Sequence, residues 1–399
     1  MQKASINDLN KENLYRKIVL IRVDFNVPFE NGVITDDSRI KAAIPTLDYL
    51  IKHGARCVIA SHLGRPKGKK DVSLSLAPIA KHLSKLINQD VLMCHDCIGN
   101  SIKETIQNRH DISLFLLENV RFYKEEETNN ETFAKELASL ADIFVQDAFG
   151  TAHRAHASTA GVSNYLPSYA GLLVKKELTF LQSVFDQPER PLLAIVGGAK
   201  VSTKIAVLDH LLENVDYLVI GGGMAFTFLK AQGFSIGKSL CEDDKTDLAL
   251  HLLDKAISLN KSILLPLDLV VSQSITKTDT IRIVDAKQIP ENTMGLDIGP
   301  ETIKAIESLI NISKTVLWNG PLGVFEIDAF AKGTCEVANR LATSPATTII
   351  GGGDSVAAVH KVNQARNMSH ISTGGGACLE YLEGKELPGI ACLKEKETV

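Results

Sequence analysis

The sequence predicts an α/β protein built from two doubly wound, Rossmann-like parallel-sheet domains. Three observations carry that expectation. Short apolar runs recur along the chain, each ending in Gly, Asp, Asn or His, as strands covered on both faces of a parallel sheet do. Helical patterns such as 75–87 and 132–141 lie between them, so strand and helix alternate. At 399 residues the chain exceeds one ordinary core, so two domains are expected.

In the first half the expected strands are 18–25, 55–62, 91–95, 114–120 and 143–149. In the second half they are 192–198, 217–223, 263–271, 315–320, 347–353 and 370–376. The boundary is placed near 163–171, where small residues, Tyr and Pro cluster, and the helical pattern at 172–185 bridges the halves. A net charge of −4 argues against a nucleic-acid or membrane-surface partner. No run approaches the roughly 20 apolar residues of a membrane span. The polar amino terminus carries no signal-like apolar region, so a cytoplasmic setting is expected. Seven scattered cysteines read as reduced thiols. Cys94 and Cys97 have CxxC spacing but no second pair nearby, so no metal or redox role is assigned to them.

The two halves differ in chemistry. Eight of the twelve arginines precede Gly171, and all three Gly-Gly-Gly triplets follow it. Ligands of open α/β sheets bind beyond the carboxyl ends of the strands. An anionic ligand is therefore expected on the first domain and a phosphate-bearing one on the second.

In the first half, RVDFN at 22–26 ends a strand and puts Arg22, Asp24 and Asn26 on one face. Asp24 and Asn26 suit substrate hydroxyls; equally, Arg22 and Asp24 would make an ion pair, and this stretch does not choose. SHLGRPKG at 61–68 adds His62 and Arg65 on a tight turn. With Arg39, Arg121 and Arg154 these supply forked contacts for a small polyanion. From Ala148 to Lys176 there is no Asp or Glu, as expected where a carboxylate would repel an anionic ligand. In that segment Arg154 is expected to touch the ligand, with His153 and His156 in support.

In the second half, GGAKVSTK at 197–204 follows a strand and opens a helix, with Lys200 and Lys204 expected on one helical face. Such a pair is either a solvated face or a phosphate contact. Neither a Walker A loop nor a GxGxxG fingerprint is present. The glycine turns instead offer backbone N–H groups to an anion at helix N-termini. In GGGDS, Asp354 suits a magnesium-bound phosphate and Ser355 a helix cap. Glu326 in WNGPLGVFE suits a ribose hydroxyl.

These motifs, RVDFNVP, SHLGRP, LLENVRF, QDAFGTAHRAHAST, GGAKVSTK, GGGMAFTFL, WNGPLGVFE, GGGDS and STGGGA, occur in the order found in the phosphoglycerate kinases, and the chain resembles that family end to end. The resemblance implies two lobes joined by a helix and hinge, with a cleft between them. It assigns about 1–171 and 381–399 to phosphoglycerate and 172–380 to the nucleotide, with 382–390 returning to the first domain. The implied reaction is reversible transfer of the acyl phosphate of 1,3-bisphosphoglycerate to Mg-ADP. Asp24, Asn26, Arg39, His62, Arg65, Arg121 and Arg154 would bind the phosphoglycerate. Gly198, Gly221, Gly222, Gly223, Asn319, Pro321, Val324 and Glu326 would line the nucleotide site, with Gly352 and Gly353. Lys204 and Ser355 would contact phosphates, and Asp354 would bind Mg²⁺. The family also implies a monomer. Cys378, Val356 and Tyr381 depart from its usual Ser, Ala and Leu, away from the assigned chemistry.

No general base is expected, because a carboxylate attacks phosphorus or leaves and no proton must move. Catalysis reduces to alignment and charge neutralisation. Arg39 and Lys200, with the N–H groups of Gly375 and Gly376 at a helix terminus, are assigned to the transferred phosphoryl. A dehydrogenase is disfavoured by the missing GxGxxG. A non-catalytic binder is disfavoured because cationic and phosphate-binding residues fall in separate domains.

Overall fold

Runs of Val, Ile and Leu too short for helices become strands here, and their alternate side chains fill the two faces of each sheet. The structure, a computed structural model, describes residues 2–30, 32–186 and 188–396. The chain divides into Met1–Thr179 with Glu386–Val399, and Phe180–Lys385. Residues 397–399 of the expected 381–399 lie outside the described residues.

The first unit carries β1 (Ile18–Arg22), β2 (Arg56–Ala60), β3 (Val91–Met93), β4 (Leu114–Leu116), β5 (Ile143–Gln146) and β6 (Ser168–Ala170). They form one parallel sheet in the order β3-β4-β2-β1-β5-β6. Val19, Ile21, Ile59 and Val145 enter the core on one face; Leu20, Val58, Phe115 and Phe144 enter the core on the other. Arg22 pairs in register with both Ala60 and Gln146, so three strands end level. The chain reverses direction across the sheet between β1 and β5, the switch point where such sheets bind ligands.

The exposed side of β6 is covered by both ends of the chain. Ala170 N–H donates to Ala4 O at 2.9 Å, Ala4 N–H to Lys394 O at 2.8 Å, and Lys394 N–H to Ser168 O at 3.0 Å. An unpaired sheet edge is thereby closed.

The second unit carries β7 (Leu192–Val196), β8 (Tyr217–Ile220), β9 (Ser262–Leu264), β10 (Asp268–Ser272), β11 (Arg282–Asp285), β12 (Met294–Ile298), β13 (Thr315–Asn319), β14 (Thr347–Gly351) and β15 (His370–Ile371). Its parallel sheet runs β9-β8-β7-β13-β14-β15. A separate antiparallel sheet runs β11-β10-β12. This corrects the reading of 263–271 as one parallel strand. Pro266 interrupts that run and cannot donate to a ladder, so β9 and β10 belong to different sheets.

The helix Leu172–Phe185 crosses from one unit to the other at 179/180, not at the expected 171/172. Its amino end is tied to the first unit: Leu173 N–H donates to Asp147 Oδ1 at 2.9 Å, and Leu172 packs on that unit's core. A Cβ on Gly171 would lie 2.1 Å from the same oxygen, so only glycine admits this approach. The return falls at 385/386 rather than 380/381, because Gly375–Leu382 is still a helix of the second unit.

Candidate functional site

Two sites are described, one in each unit. In the first, β1, β2 and β5 deliver their carboxyl ends together, and the segments that follow carry the charges. Arg22 is fully buried. Its Nε donates to Ser158 Oγ at 2.8 Å, Nη1 donates to Val23 O, and Nη2 lies 3.2 Å from His62 Nδ1. Asp24 accepts from Arg39 Nη1 at 2.5 Å and lies 3.9 Å from His62. Among the described residues Asp24 pairs with Arg39 and not with Arg22. Asn26 Oδ1 accepts the Gly64 N–H at 2.8 Å, fixing the turn that carries Arg65, whose own side chain is exposed. Arg121 is 4% exposed, donates Nη1 to Gly64 O at 2.9 Å, and keeps Nη2 without a hydrogen-bond partner.

The electrostatics show that the arginines converge. Burial holds the His62 imidazole well below its ordinary range, and Arg22, Arg121, Arg39 and Arg154 push the same way. Burial, with Arg121, Arg22 and Arg154, lowers His156 to about 4. Burial and neighbouring Arg22 and Arg154 lower Arg121 to about 10, so it stays charged at neutral pH. His62 and His156 are therefore held toward the neutral form, as donors or acceptors among cations.

The carboxylate-free segment is not free of carboxylates in space. Glu126, from the short helix Lys124–Glu127, is fully buried against it and accepts from Ser158 N–H at 2.9 Å and Ser158 Oγ at 2.6 Å. Simple repulsion of carboxylates does not explain the composition of 148–176.

In the second unit, β7, β13 and β14 end level at Val196, Asn319 and Gly351, and each is followed by glycine. Two adjoining cavities open there. One, of about 360 Å³, is lined by Gly198, Lys204, Asn319, Pro321, Gly352, Gly353, Asp354, Gly375 and Gly376. The helices Gly353–Lys361 and Gly375–Leu382 both begin on it, so their free N–H groups and dipoles favour an anion. The other, of about 530 Å³, shares Gly198, Pro321 and Asp354 and extends past Gly222, Gly223, Val324 and Glu326. Its walls include Phe226, Leu240, Leu269, Met294 and Leu296, an apolar slot. Glu326 and Asp354 are exposed at this cavity.

Lys200 and Lys204 do not share a helical face. Val201–Thr203 is a single 3₁₀ turn, and the α-helix begins only at Ile205. Lys200 is exposed, while Lys204 dips inward and donates to Asn319 Oδ1. Burial lowers the Lys204 ammonium, and nearby Cys378 and Asp354 oppose that. Ser355 is not a cap. The cap is Gly352, and Ser355 Oγ, fully buried, accepts the Gly320 N–H at 2.5 Å, outside both cavity linings. Gly221 lies outside them too, and a Cβ there would strike Leu322.

The sequence reading missed Glu126 and Ser158, and it missed the apolar slot. Glu126 sits in the run KEEETNN, which reads as a solvated face. The slot residues are scattered from Phe226 to Leu322, each ordinary in its own stretch.

Known proteins resemble this chain over nearly its whole length. The family model for phosphoglycerate kinase matches residues 6–385. The phosphoglycerate kinase of Borreliella afzelii is 53% identical over 395 residues, covering 99% of this chain and 100% of that one. That of Gloeothece citriformis is 55% identical over 400 residues, with 99% and 100% covered. The solved phosphoglycerate kinase structures from Coxiella burnetii and Pyrococcus horikoshii superpose with TM-scores of 0.89 and 0.82, at 45% and 32% identity, each covering 98% of both chains.

Proposed function

The chain belongs to the phosphoglycerate kinase family, and from that premise we propose how its two sites divide the reaction. The enzyme is a phosphotransferase that moves the acyl phosphate of 1,3-bisphosphoglycerate to ADP, giving 3-phosphoglycerate and ATP, in either direction. The phosphoglycerate binds in the first unit and the nucleotide in the second. What carries this division is the convergence of Arg22, Arg39, Arg121 and Arg154 about His62, against backbone N–H groups and an apolar slot in the other unit.

In the first unit Arg39, Arg121 and Arg154 take the carboxylate and phosphate charges. Arg65 reaches the ligand only when its exposed side chain folds in. Asp24 and Asn26 orient the chain of the substrate, and neutral His62 and His156 add hydrogen bonds without more charge. In the second unit the slot holds the base, Glu326 the ribose, and the cavity at Gly352, Gly353, Gly375 and Gly376 the phosphates, with Lys204 beside them.

Asp354 fits a magnesium ion carried on those phosphates: it is the one carboxylate lining the phosphate cavity, and among the described residues no cluster of three metal-ligand side chains offers a cage. An ion held there would neutralise charge on the phosphate oxygens. Arg39 lies in one unit and Lys200 in the other, so hinge closure is needed to bring both to one phosphoryl group and exclude water. No group need act as a base, and the acyl oxygen leaves as a carboxylate. A cytoplasmic, monomeric enzyme is what the family resemblance implies; among the described residues no helix is long and apolar enough to cross a membrane.

The test couples ADP phosphorylation by 1,3-bisphosphoglycerate to a spectrophotometric readout, and titrates each ligand separately by calorimetry. Turnover with Mg-ADP, and 3-phosphoglycerate binding that vanishes in an Arg121→Ala, Arg154→Ala double variant, are expected. Unchanged binding in that variant would move the phosphoglycerate elsewhere.

A further inference from the structure

A basin of arginines needs a counter-charge that does not compete for the ligand. Asp24 is already engaged by Arg39, and Glu127, 3.4 Å from Arg121 Nε, is partly solvated. Glu126 combines complete burial with a carboxylate contact to the floor of the basin. Its two oxygens take both donors of Ser158, and Oε1 lies 3.8 Å from His156 Nδ1. Ser158 Oγ, held in this way, is free to accept Arg22 Nε at 2.8 Å, and Arg22 in turn meets His62 at 3.2 Å. The chain Glu126–Ser158–Arg22–His62 thus runs from a buried carboxylate to the imidazole on which the other arginines converge.

We propose that Glu126 is the positioning carboxylate of the phosphoglycerate site: it holds Arg22 below the floor through Ser158, and so leaves Arg39, Arg121 and Arg154 to face the ligand. This rests on the assignment of phosphoglycerate to the first unit. The physical case is one of charge and valence. Arg22 has no solvent exposure, and Glu126 and Asp24 are the groups that oppose its loss of charge on burial, Glu126 the larger. Without Glu126, Arg22 must turn to Asp24, which is then withdrawn from Arg39. A neutral amide at the same place has only one acceptor oxygen for two Ser158 donors, so its NH₂ faces a donor. The carboxylate is not what anchors the turn, because Ala157 N–H donates to the backbone oxygen of Glu126 at 3.0 Å, a bond that any side chain keeps.

The test uses the full chain and calorimetric titration with 3-phosphoglycerate and with Mg-ADP, alongside circular dichroism and steady-state kinetics. Glu126→Gln and Ser158→Ala are each expected to raise the Kd and KM for 3-phosphoglycerate by at least about tenfold, as loss of a charge-assisted hydrogen bond does. Affinity for Mg-ADP stays at the wild-type value and kcat changes less than KM. Glu126→Asp, which restores the charge, recovers part of the affinity. Should Glu126→Gln not fold, Ser158→Ala decides, since it keeps both charges and removes only the bridge. Wild-type affinity in folded Glu126→Gln or in Ser158→Ala, together with weakened binding in Arg154→Ala, overturns the role of Glu126 alone. Wild-type affinity in Arg154→Ala as well overturns the placement of the ligand, and the role of Glu126 with it.

Discussion

On the assignment proposed above, the two units solve the same problem, holding a highly charged anion, with opposite materials. The first uses side chains: four arginines, two histidines held toward neutrality, and the buried carboxylate of Glu126. The second uses backbone: glycines at strand ends and two helix N-termini, with side chains mainly forming the apolar slot. Side-chain sites can be tuned one charge at a time but must balance the desolvation of each group. Backbone sites have no charge to desolvate, yet they fail wherever a Cβ intrudes.

The sharpest way to probe that contrast is at the transferred group, where each unit is assigned one cation. Arg39→Ala and Lys200→Ala are each expected to lower kcat by about 10²–10³-fold, with smaller changes in either ligand's Kd. Near-normal kcat in both would remove them from the chemistry. Next in size is a Cβ in the backbone site. Gly197→Ala would place that carbon 2.0 Å from Pro321 O, so the turn must move. Nucleotide binding should be lost while calorimetry still detects 3-phosphoglycerate, and retention of both would break the comparison. The reciprocal change, Arg121→Ala, should weaken 3-phosphoglycerate by about 10- to 100-fold, the worth of a charged hydrogen bond, and leave Mg-ADP alone.

The smallest expected effect concerns pH. Burial raises Asp297 to about 7, so the folded second unit holds a proton that the unfolded chain releases near the ordinary carboxylate range. Its contribution is present at low pH and is lost as pH rises toward about 7, at no more than about 1.4 kcal/mol per pH unit. Trp318, the one tryptophan, is fully buried in this unit and reports its unfolding by fluorescence. Denaturant midpoints followed that way should carry the slope, and Asp297→Asn should remove it at whatever stability the variant retains. In the first unit His62 and His156 are lowered, so their contributions grow as pH rises toward about 6.5, while Asp147, raised by burial to about 7, adds a slope of the same sign as Asp297.

Most of the architecture is legible in the sequence because buried parallel strands are continuous apolar runs with glycine or polar ends. Where that signal is cut by Pro266, one run became strands of two sheets. Positions whose chemistry is carried by residue type, such as Arg121 or Glu326, stand out in the chain. Positions whose role depends on what lies above them do not. Glu126 looks like its neighbours Glu125 and Glu127, and only folding buries it. The lysines of GGAKVSTK misled for a related reason: helical spacing was assumed where a 3₁₀ turn holds the backbone, so Lys200 and Lys204 point to different surroundings.

The pairing of residues 2–4 with 394–396 bears on how the protein is made. During vectorial synthesis the second unit is complete before the first, although it begins later in the chain. Until Pro388–Ala391 has left the ribosome, the turn that carries Arg154 lacks its packing partner, since Gly389 N–H donates to Ala152 O at 2.8 Å. A nascent chain would therefore complete the second unit, proposed to hold the nucleotide, while the first still lacks the strand-edge and turn contacts made by residues 388–396.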